Sequence, residues 1–103
     1  MKRNILFLFM SITTIAIMAN PLLGKYKTPY GTIPFNSIET KHYLPAFEES
    51  MKIHLTEVDK ITNNKQKPTF ENTIVALEQA GNLLSQVSSP FYNLLSAETN
   101  DAL

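Results

Sequence analysis

The stretch at residues 68–81, PTFENTIVALEQAG, constrains the fold most, because it carries a helix start followed by one apolar face. Pro68 stiffens the approach, and the hydroxyl of Thr69 can accept a hydrogen bond from the free backbone N–H groups of a first turn. Glu71 then stands where the helix dipole favours an anion. Apolar positions and one glycine recur at spacings of three and four: Phe70, Ile74, Leu77, Gly81 and Leu84. The stretch therefore predicts an amphipathic helix that needs a partner.

That partner is predicted upstream, in a helix over residues 40–62. At about 100° per residue, its stripe falls in a sector about 120° wide and comprises Tyr43, Leu44, Phe47, Met51, His54, Leu55, Val58 and Ile61. Glu48 and Lys52 lie on the other side as a favourable i, i+4 pair. Pro45 either marks the first turn of the regular helix or bends it after a short leading turn.

The connector between the two helices is short and polar, NNKQKP at residues 63–68. A link of this length returns the chain antiparallel, so we expect a helical hairpin. Gly81 is predicted inside the second helix, where its missing side chain either lets another helix approach closely or is simply a weak spot.

The end of the sequence predicts a further, incomplete helix. Pro90 cannot donate to the carbonyl of Gln86, so a kink or restart is expected at residues 88–90. Thr99 or Asn100 would cap one more helix. The apolar residues Phe91, Leu94 and Leu95 exceed what a two-helix hairpin can bury. The predicted fold class is thus all-α, an amphipathic helical hairpin plus a third partial helix.

The first 38 residues are predicted to lie outside the hairpin. Residues 1–19 have the pattern of a signal peptide, with Lys2 and Arg3 before a run of fourteen uncharged residues, and cleavage is expected after Ala19 or Asn20. The run is shorter than the about twenty apolar residues that span a membrane, so an anchor is the alternative only if this segment is retained. Residues 20–38 are rich in proline and apolar side chains, which predicts an irregular arm lying against a surface.

Composition excludes several function classes. The 103 residues carry a formal net charge of zero, and removal of Lys2 and Arg3 leaves seven basic against nine acidic residues, which gives no sign of a nucleic-acid partner. No cysteine is present, so disulfides, thiolate metal sites and cysteine nucleophiles are excluded.

No catalytic, cofactor or metal site is predicted from the residues. His42 and His54 are too far apart for the i, i+4 pair of a helical H-E-x-x-H zinc site. His54 is expected to be a packed, hydrogen-bonded histidine, and His42 a capping or packing residue. Glu48 and Glu49 are adjacent and point in different directions, so they form no carboxylate pair. The serines lack a nucleophile-elbow motif.

Five phrases nevertheless resemble, in order and spacing, the amino-terminal region of secreted bacterial peptidyl-dipeptidases. These phrases are NPLL, TPYGTIPF, HYLPAFEESM, PTFENTIVALEQAG and SSPFYNLLSAETND. Such enzymes belong to the thimet oligopeptidase family of zinc metallopeptidases. Two departures are minor: Lys41 stands where an acidic residue is common, and Ser50 where glycine is common.

The resemblance implies a large helical enzyme in which an H-E-x-x-H helix and a later glutamate hold one zinc ion. Family members of this type release dipeptides from the carboxyl end of short peptides. Residues 20–103 would be the amino-terminal helical part of that domain, forming scaffold and channel wall and binding no zinc itself. The implied partners are short peptides and the remainder of the same polypeptide, and the implied location is secreted or periplasmic, with no membrane contact after signal removal. The alternative is a small exported helical module that binds a protein through residues 91–95.

Overall fold

A computed structural model describes residues 20–98 and 100–103, a part of the chain that contains helices, turns and irregular segments but no strand. Two 3₁₀ turns come first, at Pro29–Gly31 and Phe35–Ser37, and helix α1 follows at Thr40–Thr62. A π-helical segment (Phe70–Val75) then runs directly into helix α2 (Ala76–Gln79), and the last element is helix α3 (Asn82–Ala97). The all-α class is confirmed. The predicted signal peptide over residues 1–19 lies outside the described residues.

Helix α1 has the bounds that the sequence predicts. Helix α1 begins at Thr40, five residues before Pro45, so Pro45 does not mark the first turn of the helix. A short leading turn precedes the proline, as the second of the two alternatives for Pro45 requires. The side chain of His42 reaches back and accepts a hydrogen bond from the backbone N–H of Glu39 at 2.9 Å. This contact satisfies one of the donors that a helix start leaves free.

The second helical segment starts at the predicted cap. The backbone N–H of Asn72 donates to the hydroxyl of Thr69 at 3.1 Å, and the N–H of Thr69 donates to the Asn72 side chain at 2.8 Å. This reciprocal pair is a capping box with asparagine in place of glutamate. The turn that follows is π-wound, so the sequence located the helix start but not its winding.

The prediction that Gly81 lies inside a continuous helix is wrong. α2 ends at Gln79, Ala80 is extended with ψ 139°, and Gly81 is left-handed with φ +81°. Glycine adopts this conformation at little cost because it has no Cβ. One of the two readings of Gly81 was that its missing side chain lets another helix approach closely. This reading is confirmed, because the imidazole of His54 on α1 lies beside Gly81.

The predicted restart at residues 88–90 is also wrong, because α3 continues through Pro90 without an interruption. The proline removes the N–H that would bond the carbonyl of Gln86. In its place, the hydroxyl of Tyr26 donates to this carbonyl at a long 3.4 Å. A residue from the arm therefore compensates for the proline.

The core lies where the arm crosses α1 and α3. Its buried residues are Leu22 from the arm, Tyr43 and Ala46 from α1, and Val87 from α3. The ring of Phe91 stands edge-on to Tyr43 at a centroid distance of 5.3 Å. Since Phe91 lies near the start of α1 and Gly81 near its middle, α1 and α3 are antiparallel, which confirms the hairpin.

The arm is fixed to the helices by side-chain amides. Asn20 Nδ2 donates to the carbonyl of His42 at 2.7 Å, and Gln86 Nε2 donates to the carbonyls of Leu22 and Gly24, each at 2.9 Å. The arm predicted to lie against a surface does so, with Leu22 fully buried.

The buried side of α1 is turned relative to the predicted stripe. Its fully packed positions are Tyr43, Ala46 and Ser50, whereas Leu44 and Leu55 are 68% and 65% exposed. The small Ala46 packs in the core with Val87 of α3, so one edge of the apolar stripe faces α3, whereas Leu44 and Leu55 face outward.

Beyond α3, the chain makes a single turn at the place predicted for a further helix. The backbone N–H of Ala102 donates to the side chain of Asn100 at 2.9 Å, and the N–H of Leu103 donates to the Asn100 carbonyl at 3.2 Å. Asn100 thus makes the local contact of a cap. Thr99, the other candidate cap, lies outside the described residues.

Candidate functional site

The two histidines lie at separate places on α1 and do not form a site together. The Nδ1 atom of His42 accepts a hydrogen bond from the backbone N–H of Glu39, so the predicted capping role is confirmed. His54 is packed as expected, but its Nδ1 atom is buried with no hydrogen-bond partner among the described residues. The expected hydrogen bond of His54 is therefore missing.

The best-defined polar cluster is the joint between α1 and the start of α3. Glu57 Oε2 accepts the backbone N–H of Gly81 at 2.8 Å, a bond between residues on two different elements. The same oxygen lies 3.9 Å from His54 Nδ1. A carboxylate at the first free N–H groups of a helix is favourable, both as a hydrogen-bond acceptor and as a charge at the helix dipole. This arrangement positions α3 and contains no nucleophile.

The cluster does not fit the zinc ion that the resemblance implies for the whole enzyme. A catalytic zinc site uses three protein ligands, and only one histidine and one carboxylate meet here. Within residues 20–98 and 100–103, no group of three or more His, Cys, Asp or Glu side chains is placed to hold a metal. Glu48 and Glu49 are both exposed on α1.

Among residues 20–98 and 100–103, burial or a neighbouring charge shifts the pKa of three side chains, and none of the three lies at a reactive centre. Burial raises the pKa of Tyr26 and that of Tyr43, since the charged phenolate is disfavoured away from water. The hydrogen bond from Lys41 lowers the pKa of the exposed Glu39 carboxyl, and the charge of Lys41 adds to this effect. These shifts follow from packing and surface pairing.

A partly open apolar cavity of about 230 Å³ lies between the start of α1 and the end of the chain. The rings of Tyr43, Phe47 and Phe91 line it on one side, and Leu103 lines it on the other. The hydroxyl of Tyr43 is buried without a hydrogen-bond partner in the part of the chain that the structure describes. The lining is apolar and offers no convergent set of polar groups, which a ligand site normally supplies.

The most prominent surface feature is an apolar face on the π-helical segment and α2. We call Phe70, Ile74 and Leu77 the 70–77 face; these side chains are 69%, 51% and 54% exposed. The segment turns other residues toward α1, with Ala76 and Ala80 beside Glu57 and Ile61. The apolar side chains that the sequence predicts to be the packed face of this helix therefore point away from the hairpin.

Residues 91–95, by contrast, are not the main exposed apolar surface. Phe91 and Leu94 are partly buried and pack against the core, and Leu95 is half-buried. The sequence located an excess of apolar surface but assigned it to the wrong helix. Among the described residues, no helix is both long and apolar enough to cross a membrane.

Comparison with known proteins finds similarity between this chain and segments of known peptidases. Over 84 residues, or 82% of the chain, it is 44% identical to a dipeptidyl carboxypeptidase of Salmonella typhimurium and 45% identical to one of Escherichia coli. The chain is homologous to the dipeptidyl carboxypeptidases. The resemblance drawn from the sequence phrases is thereby confirmed. A more distant match, 27% identical over 86 residues, is an oligopeptidase A of Salmonella typhimurium. No protein-family model matches the chain.

The chain spans only about 12% of the length of the dipeptidyl carboxypeptidases that it matches. An 84-residue stretch within 103 residues must include residues 20–84, since at most 19 residues are left over at either end. The match therefore includes the arm, α1, the capped π-helical segment, α2 and the 70–77 face. The similarity to the dipeptidyl carboxypeptidases therefore extends over the parts that carry the notable surface features.

Proposed function

We propose that this chain is the amino-terminal structural segment of a zinc-dependent peptidyl-dipeptidase that hydrolyses short peptides. The observation that carries the proposal is the 44–45% identity over 84 residues to enzymes named dipeptidyl carboxypeptidase. Identity at this level over a stretch that includes the arm, α1 and α2 supports a common fold and a common place in the larger enzyme. The segment supplies scaffold and part of the channel wall.

The chemistry of the proposal belongs to the remainder of the enzyme. When bound there, zinc supplies a polarised water molecule as the nucleophile. The described residues of this chain offer no set of ligands for it, so their contribution is to hold the shape of the wall. Rigid placement of residues around a substrate is itself part of catalysis, because it fixes the reacting geometry.

Export to the periplasm or the exterior is part of the same proposal. It is supported by the charged start and the uncharged run in residues 1–19. Mass determination of the mature amino terminus tests it, with Asn20 or Pro21 expected as the first residue. A mature product that begins at Met1 contradicts export by cleavage and favours retention of the segment as an anchor.

The small-module alternative retains only part of the surface on which it depended, since Tyr92 stays 61% exposed. It required residues 91–95 to be free for a protein partner, and Phe91 instead packs between Tyr43 and Phe47. The peptidase segment is therefore the one function that we develop.

A chimeric enzyme tests the proposal. The matched 84-residue stretch of the Escherichia coli dipeptidyl carboxypeptidase is replaced by that of this chain, and release of dipeptides from a short blocked peptide is measured. We expect activity within about tenfold of the parent enzyme, because the chemistry resides elsewhere and the scaffold is conserved in kind. A soluble, folded chimera without activity contradicts the proposal. The separate 103-residue chain with added zinc is the control, and we expect no dipeptide release from it.

A further inference from the structure

The imidazole of His54 is buried on one edge and open to water on the other. Its Nδ1, Cε1 and Cγ atoms are turned toward Gly81, and Nδ1 is buried without a hydrogen-bond partner among the described residues. The side chain as a whole is nevertheless 35% exposed, so the exposed edge is the one that contains Nε2. A buried polar atom without a partner costs free energy. A charge on this ring, in contrast, would be only partly withdrawn from water.

A carboxylate stands close to this nitrogen without reaching it. Glu57 Oε2 lies 3.9 Å from His54 Nδ1, which is beyond hydrogen-bond distance. The same oxygen accepts the backbone N–H of Gly81 at 2.8 Å, and a carboxylate oxygen has a second lone pair for another donor. Because His54 and Glu57 are neighbours on one helix face, at i and i+3, a small rotation of either side chain closes the distance.

We infer that His54 and Glu57, which we call the 54–57 pair, form a pH-dependent contact that strengthens the joint between α1 and α3. When the imidazole takes up a proton, both ring nitrogens become donors. The Nδ1–H then donates to Glu57 Oε2, while that oxygen keeps the N–H of Gly81. The proton thus satisfies the buried nitrogen and adds an ion pair at the start of α3. A neutral ring with its single proton on Nδ1 can make the hydrogen bond but not the ion pair.

The other charged and titratable groups around the joint leave the 54–57 pair undisturbed. On α1, Lys60 shares a surface recess with Glu57, but the two form no ion pair within the described part of the chain. Helix α3, all of which the structure describes, contains no Asp, Glu, Lys, Arg or His, and its one titratable residue is the exposed Tyr92. On α2, the exposed Glu78 forms no ion pair with His54 in the described residues. Glu57 is therefore the charge that a protonated His54 meets.

The direction of the pH dependence follows from the state that binds the proton more tightly. The folded chain holds Glu57 at a fixed place beside His54, and the Gly81 N–H anchors that carboxylate, whereas the unfolded chain has no such anchor. Folding therefore favours the protonated imidazole. The contribution of the 54–57 pair to stability is present where histidine is charged and is lost as the pH rises through about 5 to 8. Below about pH 4.3, protonation of glutamate carboxyls removes the ion pair from the other side.

Urea unfolding of the 103-residue chain at about pH 5.5 and about pH 8 measures the pair through the variant His54→Gln. The packing that the variant loses is the same at both pH values, so only the charge-dependent part differs between them. We expect His54→Gln to raise the unfolding equilibrium constant about threefold more at the lower pH, the size of a partly exposed ion pair. Glu57→Gln is the matched control, because its amide oxygen can still accept the N–H of Gly81. In that background, the extra loss at the lower pH should disappear.

Proton NMR of the imidazole rings is a second readout and leaves His54 itself unchanged. The chain has two histidines, and His42→Gln assigns their signals. We expect the His54 signals to titrate at lower pH in Glu57→Gln than in the parent chain, and the His42 signals to stay in place. An equal penalty for His54→Gln at both pH values overturns the inference, and so does a His54 titration that Glu57→Gln does not move. Neither readout involves dipeptide release, so the 54–57 pair and the proposed function fail separately.

Discussion

Replacement of Gly81 by alanine tests how the joint between α2 and α3 is built. The backbone of Gly81 is left-handed, φ +81°, a conformation that costs an L-residue roughly 1–2 kcal/mol. A Cβ at this position would also lie 2.9 Å from His54 Nδ1 and 3.0 Å from His54 Cε1. Overpacking of this kind costs about 1–3 kcal/mol, so Gly81→Ala is expected to lower the free energy of unfolding by about 2–5 kcal/mol in total.

Gly31 is a matched control for the conformational part. It is also left-handed, φ +67°, but nothing lies within 4 Å of an added Cβ. Gly31→Ala should therefore lower the free energy of unfolding only by the cost of the left-handed backbone, roughly 1–2 kcal/mol. The difference between the two alanine variants measures the steric contact with His54.

Urea unfolding followed by helical circular dichroism measures both variants, and a double-mutant cycle with His54→Ala assigns the contact. If the imidazole is the obstacle, Gly81→Ala is less costly when His54 is already alanine, with a coupling energy of about 1–3 kcal/mol. Equal losses for Gly31→Ala and Gly81→Ala, or a coupling energy near zero, would refute the reasoning.

Three further expectations concern the core and the arm. Leu22→Ala should cost about 2–5 kcal/mol in urea unfolding because its side chain is fully buried, whereas Leu44→Ala, 68% exposed, should stay within about 0.5 kcal/mol. Tyr26→Phe should lower the free energy of unfolding by about 1 kcal/mol in the native sequence, because its hydroxyl donates to the Gln86 carbonyl. In a Pro90→Ala background the same variant should lower it little, because the helix regains its own hydrogen bond to that carbonyl. Equal losses in both backgrounds would contradict this pairing. Burial raises the pKa of Tyr43 above its usual 10.0, so its contribution to stability is present below that pH and is lost as the pH rises through the folded-state pKa. Tyr43→Phe should flatten this alkaline loss in urea titrations, and an unchanged pH dependence would count against it.

Local signals were sufficient to predict the helix starts. The periodicity of residues 40–62 predicted α1 correctly, and Thr69 predicted the cap of the second segment. Both depend on interactions within a few residues, which a sequence displays directly. The antiparallel hairpin followed from the length of the connector.

Contacts between distant residues were not visible in the sequence, and they account for the errors. A kink or restart was expected near Pro90, but α3 does not restart there, and the hydroxyl of Tyr26, sixty residues away from Gln86, donates to the freed carbonyl. The predicted stripe on α1 includes the buried Tyr43, yet which edge is buried depends on small side chains such as Ala46, which packs in the core with Val87 of α3. The exposure of the 70–77 face has the same origin, since the pattern specifies an apolar side without specifying what lies on it.

The anchoring of Asn20 has a consequence for the order of events during maturation. Its side chain is bonded to the carbonyl of His42, and Leu22, two residues later, is fully enclosed. Processing enzymes act on exposed, pliable stretches of chain. On the proposed export, a cut after Ala19 therefore comes before the arm closes onto the hairpin, and Asn20 then becomes a terminus held by its bond to His42. A cut after Asn20 would remove that bond.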